Sequence, residues 1–169
     1  MSDTTDAART RTVSWTDPMA ALQMAFTMTR EEFVAAFASD AFPRPPIAEL
    51  LGFRGVEAEA GRIVMELELG EHLCNGMGIV AAGVTATVLD AAMWAAVQTA
   101  APENTIASTT NVNLHLIRQL PITIGTVRAE ATAVHVGRST GTAEARLVDA
   151  DGKLYAHATS GLVCIAPGS

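Results

Sequence analysis

The chain has 169 residues, 49% of them hydrophobic and 17% charged, with a formal net charge of −7. That length suits one domain with a sizeable core, and the composition excludes a mostly disordered chain. The acidic balance argues against a nucleic-acid footprint, so an anionic ligand would need a local basic site.

The start, MSDTTDAARTRTVSWTD, is polar and lacks an apolar segment, so no signal peptide is expected and residues 1 to about 14 should fray. Pro18 to Met28 predicts a short helix, with Pro18 suited to a first turn. Thr29-Arg-Glu-Glu32 matches a capping box, and a helix through about Ala38 should follow with Phe33, Val34 and Phe37 on one face. Pro43, Pro45 and Pro46 break it, and Ile47 to Leu51 makes a helical turn ended by Gly52. Phe53 to Ala60 and Arg62 to Leu69 read as a hairpin around Gly61. In its second strand Ile63, Met65, Leu67 and Leu69 alternate with Val64, Glu66 and Glu68. Residues 1–45 are thus a helical extension and 46–169 the main domain.

The next stretch organises the rest. From Val80 to Ala101 there is no Lys or Arg, and no Gly beyond Gly83, which predicts a buried helix over roughly Ala82 to Ala100. One carboxylate, Asp90, lies at its middle. A membrane span would place that acid at the bilayer centre, at about 2.5–3.5 kcal/mol, without flanking Lys or Arg anchors. A plain core helix would leave the acid unpaired, because no cation lies within a helical turn. The third reading, a carboxylate kept there for its chemistry, is preferred.

Three or four strands follow. Thr105 to Arg118 alternates, which puts Thr109, Asn111, Asn113 and His115 on one face and Thr110, Val112, Leu114 and Leu116 on the other; Ser108 falls opposite Thr109. Gly125 to Val136, Arg138 to Asp149 and Lys153 to Ile165 complete the set, with a turn at Asp149-Ala-Asp-Gly152. The order predicts an α+β fold in which one antiparallel sheet wraps a long central helix. Its open face and edges favour association. Cys74 and Cys164 show no metal spacing and read as reduced thiols, which suits a cytoplasmic protein. His72, His115, His135 and His157 give no zinc signature, no Ser sits in a nucleophile elbow, and Gly76 and Gly78 alone do not mark a nucleotide site.

Pro45-Pro-Ile-Ala-Glu-Leu-Leu-Gly-Phe53, Asn75, Gly83-Val-Thr-Ala-Thr-Val-Leu-Asp90, His135-Val-Gly-Arg-Ser-Thr140 and Asp149-Ala-Asp-Gly-Lys-Leu154 together resemble the hotdog-fold acyl-CoA thioesterases of the phenylacetate-pathway, PaaI-like type. The resemblance covers about Pro46 to Val163. It implies hydrolysis of an acyl-CoA thioester by water, with no metal or other cofactor, in a site shared by two subunits. By the same resemblance Asp90 is general base or nucleophile, Asn75 places the thioester, and Thr109 positions the water. The backbone at Ala82 and Gly83 serves as oxyanion donor. His135, Val136, Gly137, Arg138, Ser139 and Thr140 contact CoA, with Asn111 a further ligand contact. Ala81-Ala82-Gly83 stands where that family has His-Gly-Gly, so its His is missing here.

Elementary geometry adds a constraint. Ala82 and Asp90 are eight residues apart, about 12 Å along a helix, whereas attack needs about 3–3.5 Å between water and carbon. One chain cannot easily aim both at one carbonyl. An obligate homodimer is therefore expected, or a dimer of dimers, with antiparallel helices across a twofold axis and without nucleic-acid or membrane partners. Arg118 is either a phosphate ligand or an exposed edge charge, with the second preferred, and Phe37, Phe42, Met77 and Met93 are candidate acyl contacts. The alternative function is an acyl-CoA-binding hotdog protein with little turnover, and a dehydratase would want a catalytic His facing the thioester.

Overall fold

The structure, a computed structural model, describes residues 8–166. Its elements run α1 (Pro18–Thr27), α2 (Arg30–Ala38), α3 (Pro46–Leu51), β1 (Phe53–Glu59), β2 (Arg62–Glu68), α4 (Ala82–Gln98), β3 (Ile106–Leu116), β4 (Thr126–Val136), β5 (Thr140–Val148) and β6 (Leu154–Ile165). The strands form one antiparallel sheet in the order β1-β2-β4-β5-β6-β3. The sheet wraps α4, the arrangement of the hotdog fold.

The middle strands present alanines to the helix: Ala129 and Ala131 on β4, Ala143 and Ala145 on β5, Ala156 and Ala158 on β6. Small side chains let α4 sink close to the sheet. Its own Val88, Leu89, Ala92, Met93, Ala96 and Val97 are buried completely between Ile63, Leu67, Leu147 and Leu162. Removing that apolar surface from water is what stabilises the wrap. Met93 belongs to this core and is fully buried, so it cannot touch an acyl group as the sequence suggested. Among the described residues, no helix is long and apolar enough to cross a membrane.

The local signals at the N-terminal end act as read. Thr29 Oγ1 accepts from Glu32 N at 3.2 Å and Glu32 Oε2 accepts from Thr29 N at 2.8 Å, a closed capping box. Gly52 ends α3 with φ of 88°, a left-handed value that suits glycine. Phe33, Ala36 and Phe42 form a second small core, and Trp94 of α4 packs against it. The expected fraying is only partly tested, because residues 1–7 lie outside the described residues. Residues 8–14 carry no helix or strand, yet Arg9 pairs with Glu71 at 2.5 Å and Arg11 donates to the Leu50 carbonyl.

One irregularity rearranges a predicted face. In β3, Thr109 pairs with Leu162 and Asn111 with Gly161, so Thr110 is an extra, bulged residue. Ala107 and Thr109 pair with Cys164 and Leu162, while Val112 and Leu114 pair with Ser160 and Ala158, all on the helix side. Asn111, Asn113 and His115 pair with Gly161, Thr159 and His157 on the outer side. The expectation that Thr109 and Asn111 share a face is thus incorrect, because one inserted residue inverts the alternation.

Candidate active site

Asp90, Trp94 and Gln98 are spaced four apart, so they line one face of α4. All three bond to β3. Thr109 Oγ1 donates to Asp90 Oδ1 at 2.9 Å, and Trp94 Nε1 donates to the Ala107 carbonyl at 2.8 Å. Gln98 Oε1 accepts from Ala107 N at 2.7 Å, while Gln98 Nε2 donates to the Thr105 carbonyl at 3.0 Å. The helix and the edge strand are therefore laced together, and the carboxylate is the first rung. Asp90 is half-buried rather than sealed in the core, and no cation pairs with it among the described residues. One of its two oxygens carries the Thr109 bond, leaving acceptor capacity for a water. Gln98 was missed at the sequence level, although its spacing from Asp90 was visible.

The start of α4 supplies a different chemistry. Ala81 caps it without any side-chain bond. The first amides with partners are Val84, to the Ala81 carbonyl at 3.0 Å, and Thr85, to the same carbonyl at 3.4 Å. The N–H groups of Ala82 and Gly83 have no partner among the described residues. Such free amides at the positive end of a helix dipole suit a developing oxyanion. A Cβ built on Gly83 meets no other segment within 4 Å, so the side of the helix start that it would occupy is open.

Asn75 lies beside this end, in the loop before α4. Its Oδ1 accepts from Met77 N at 2.9 Å, its N–H donates to the Ile79 carbonyl at 2.8 Å, and its carbonyl accepts from Gly78 N at 3.0 Å. These bonds hold the loop and leave the side-chain amide nitrogen without a partner among the described residues. Asn75, Met77, Ala82, Thr85 and Arg118 line one cleft of about 440 Å³. Arg118 is exposed, as expected, but its position in that cleft wall was not.

The turn between β4 and β5 stands at the other end of α4, where Gly141 lies against Val97. Gly137 N donates to the Thr140 carbonyl at 2.8 Å, and the Ser139 carbonyl accepts from Cys164 N at 2.9 Å. These bonds are internal, so Arg138 and the Ser139 and Thr140 hydroxyls remain the exposed polar groups. Val136 packs on the core instead of facing out. His135 pairs with Thr142, in line across the outer face with Gly161 and Asn111. One chain therefore holds three separate groups: the cleft at the helix start, Asp90 with Thr109 at its middle, and the β4–β5 turn with Asn111.

Among the described residues, no cluster of His, Cys, Asp or Glu could hold a metal ion. Cys74 and Cys164 are free thiols, and burial pushes the Cys164 thiol up. The Asp149 carboxylate closes the last turn by accepting from Lys153 N, Tyr155 OH and Asp151 N. The Lys153 amide is the chief cause holding its carboxyl below the ordinary aspartate value.

Comparison with known proteins fits this arrangement. The model of the Thioesterase superfamily, 4HBT, matches residues 77–156, a segment that contains Ala82, Asp90, Thr109 and the β4–β5 turn. PaaI from the phenylacetic acid degradation operon of E. coli superposes with a TM-score of 0.72 at 19% identity, covering 82% of this chain and 97% of its own. Over residues 77–156 the chain is similar to the thioesterase superfamily, and its fold is the hotdog fold. A phenylacetic acid degradation-related protein of Ralstonia eutropha is similar to this chain with a TM-score of 0.69 at 25% identity, covering 78% and 98% of the two chains. A thioesterase family protein of Silicibacter pomeroyi has a TM-score of 0.71 at 24% identity, with 79% and 98% covered. No curated protein matches the chain. The superfamily match supports thioester hydrolysis as the general chemistry.

Proposed function

We propose that the protein hydrolyses an acyl-CoA thioester to the free acid and CoA, working as a homodimer. The observation that carries this reading is the Thr109-anchored carboxylate of Asp90 at mid-helix, on a rod whose first amides are unpartnered among the described residues. Asp90 takes a proton from a water as the water oxygen attacks the thioester carbonyl carbon. The negative charge that builds on the carbonyl oxygen is held by the N–H groups of Ala82 and Gly83 at the start of the second copy's α4. The tetrahedral intermediate collapses, the C–S bond breaks, and CoA leaves as a thiolate that takes up a proton. Asn75, in the cleft with Ala82, orients the thioester. Arg138, Ser139, Thr140, His135, Gly137 and Asn111 bind the rest of CoA, with charge-assisted bonds from Arg138 to a phosphate. Val136 supports the turn from the core side.

The second copy is required by length: Asp90 and Ala82 of one helix are about 12 Å apart along its axis. The edge strand supports the same conclusion. Among the described residues β3 pairs only with β6, and it has exposed Leu116, with Ile117 just beyond it, at 54% and 48%. Pairing of two β3 edges about a twofold axis would set the helices antiparallel and cover those side chains. A further pairing into a dimer of dimers would use the outer face of the sheet. The two free thiols suit a reducing, cytoplasmic location.

Thiol release from acetyl-, hexanoyl-, benzoyl- and palmitoyl-CoA tests the activity directly. Hydrolysis of at least one ester, lost in Asp90→Asn with CoA binding retained, supports the reading. Parent-level hydrolysis by Asp90→Asn, or full activity of a monomer at high dilution, overturns it. The missing family His, replaced by Ala81 with no side-chain cap, favours a second reading, an acyl-CoA-binding protein with little turnover. Tight binding of every ester without thiol release selects it.

A further inference from the structure

A cavity of about 200 Å³ lies where the helical extension meets the sheet. Leu22 and Ala25 of α1, Phe37 of α2, Phe42, Met65 of β2 and Trp94 of α4 form its walls, with Ala91 also lining it. Ala91 is the residue after Asp90. Trp94 is the next rung above Asp90 on the same helix face, about 6 Å farther along the axis, with its indole fixed by the Ala107 carbonyl. The cavity therefore begins one helical turn from the carboxylate.

Its chemistry is one-sided. The charged groups that line it are Asp40, Arg44 and Arg54. Asp40 and Arg44 pair with each other at 3.1 Å, and Arg54 pairs with Glu66 at 3.8 Å. With these charges matched, nothing in the cavity is set to receive an ion, and the remaining walls suit an uncharged apolar group. The volume bounds the size. An apolar cavity of about 150 Å³ in another protein stays dry and binds benzene, so about 200 Å³ holds a six-membered ring or a compact branched chain. The ring stack of Phe33, Phe37 and Phe42, with centroids 4.9–5.7 Å apart, makes the outer wall stiff. Phe37 also lies against Gly55, where an added Cβ would come within 2.8 Å of the ring.

Resting on the hydrolase reading above, we propose that this cavity is the acyl pocket and that the extension, through α1 and Phe42, sets the largest acyl group accepted. The group is compact, apolar and uncharged, and a long straight chain is excluded. Selectivity would then rest on the N-terminal helices rather than on the sheet and central helix alone.

The test is a selectivity ratio. For the parent, kcat/KM for isovaleryl- or benzoyl-CoA should exceed that for palmitoyl-CoA at least tenfold. Ala25→Phe, which fills the cavity, should lower the benzoyl-to-acetyl ratio at least tenfold. Leu22→Ala, which enlarges it, should raise the palmitoyl-to-benzoyl ratio, a gain that a damaged fold cannot produce. If both variants leave the ratios as in the parent, the pocket assignment fails while hydrolysis stands. If the parent releases no thiol from any ester, the hydrolase reading fails, and calorimetry decides the pocket alone. Benzoyl-CoA binding at least fivefold tighter than CoA in the parent, with that gain lost in Ala25→Phe, keeps the pocket; equal affinities remove it.

Discussion

Thr109 Oγ1 donates to Asp90 Oδ1 across 2.9 Å, tying the middle of the central helix to the edge strand of the sheet. The bond orients the carboxylate and occupies one of its oxygens. Removing it should cost turnover rather than binding. Thr109→Ala is expected to lower kcat about 10–100-fold, and Asp90→Asn about 10²–10⁴-fold, the usual range for a positioned base. Thr109→Ser should restore most of the loss because it keeps the donor. A Thr109→Ala enzyme with parent kcat would remove the positioning role.

Ala82 allows its amide to be deleted with little other change. Proline is well tolerated at the first helical position, and Ala81 before it is already extended, with φ −65° and ψ 140°. Ala82→Pro should lower kcat about 10²–10³-fold, as loss of an oxyanion donor does. Mixing it with Asp90→Asn after dissociation and reassociation should then restore about a quarter of the parent activity. Half of the dimers are mixed, and each has one intact site when acid and amide come from different copies of a twofold pair. No recovery, with mixed dimers verified by mass, would mean that both groups act within one chain.

Glu57 sets part of the response to acid. Hydrogen bonds from Arg128 first and then Arg62 hold its carboxyl below the ordinary glutamate value. A carboxylate depressed in the folded state adds stability above its unfolded pKa, and that contribution vanishes as pH falls through the folded value. The parent Tm should therefore drop as pH falls below 4.5, the ordinary value, and Glu57→Gln should flatten that drop. Parallel Tm curves for the two proteins between neutral pH and pH about 3 would contradict it.

Gly141 leaves room for α4 rather than for a turn. An added Cβ would lie 2.6 Å from Val97 Cγ1, inside the fully buried core. Gly141→Ala should cost about 1–3 kcal/mol by overpacking, read as a Tm several degrees lower, about 2–4 °C per kcal/mol at this size. Combining it with Val97→Ala should cost less than the sum of the two single changes. Strict additivity would show that the two side chains do not meet.

Much of this architecture could be read from the residues because local signals and global fold agree. The capping box at Thr29, the left-handed Gly52 and the apolar run after Gly83 each specify one local conformation, and the structure adopts all three. Asp90 and Thr109 were legible as candidates, and they are found bonded to each other. The Thr110 bulge was not legible, since its residues fit regular alternation equally well and only the pairing with Gly161 and Leu162 reveals the insertion. Met93 looked like a possible contact because periodicity is weak on a helix that is apolar on every side. Its complete burial follows from how the sheet curves. The cavity beneath α1 was beyond reach for a similar reason: it is shaped by segments far apart in the chain, from Leu22 to Ile106.

β3 has two duties at once. Its inner side aims the acid through Thr109, while its outer edge is the rim a second copy would join. On the proposed reading, a displacement of that strand would alter the aim of the Asp90 carboxylate as well as the seam. Subunit exchange and loss of turnover should therefore share one concentration dependence, and dilution would act as an off-switch without any dedicated regulatory element.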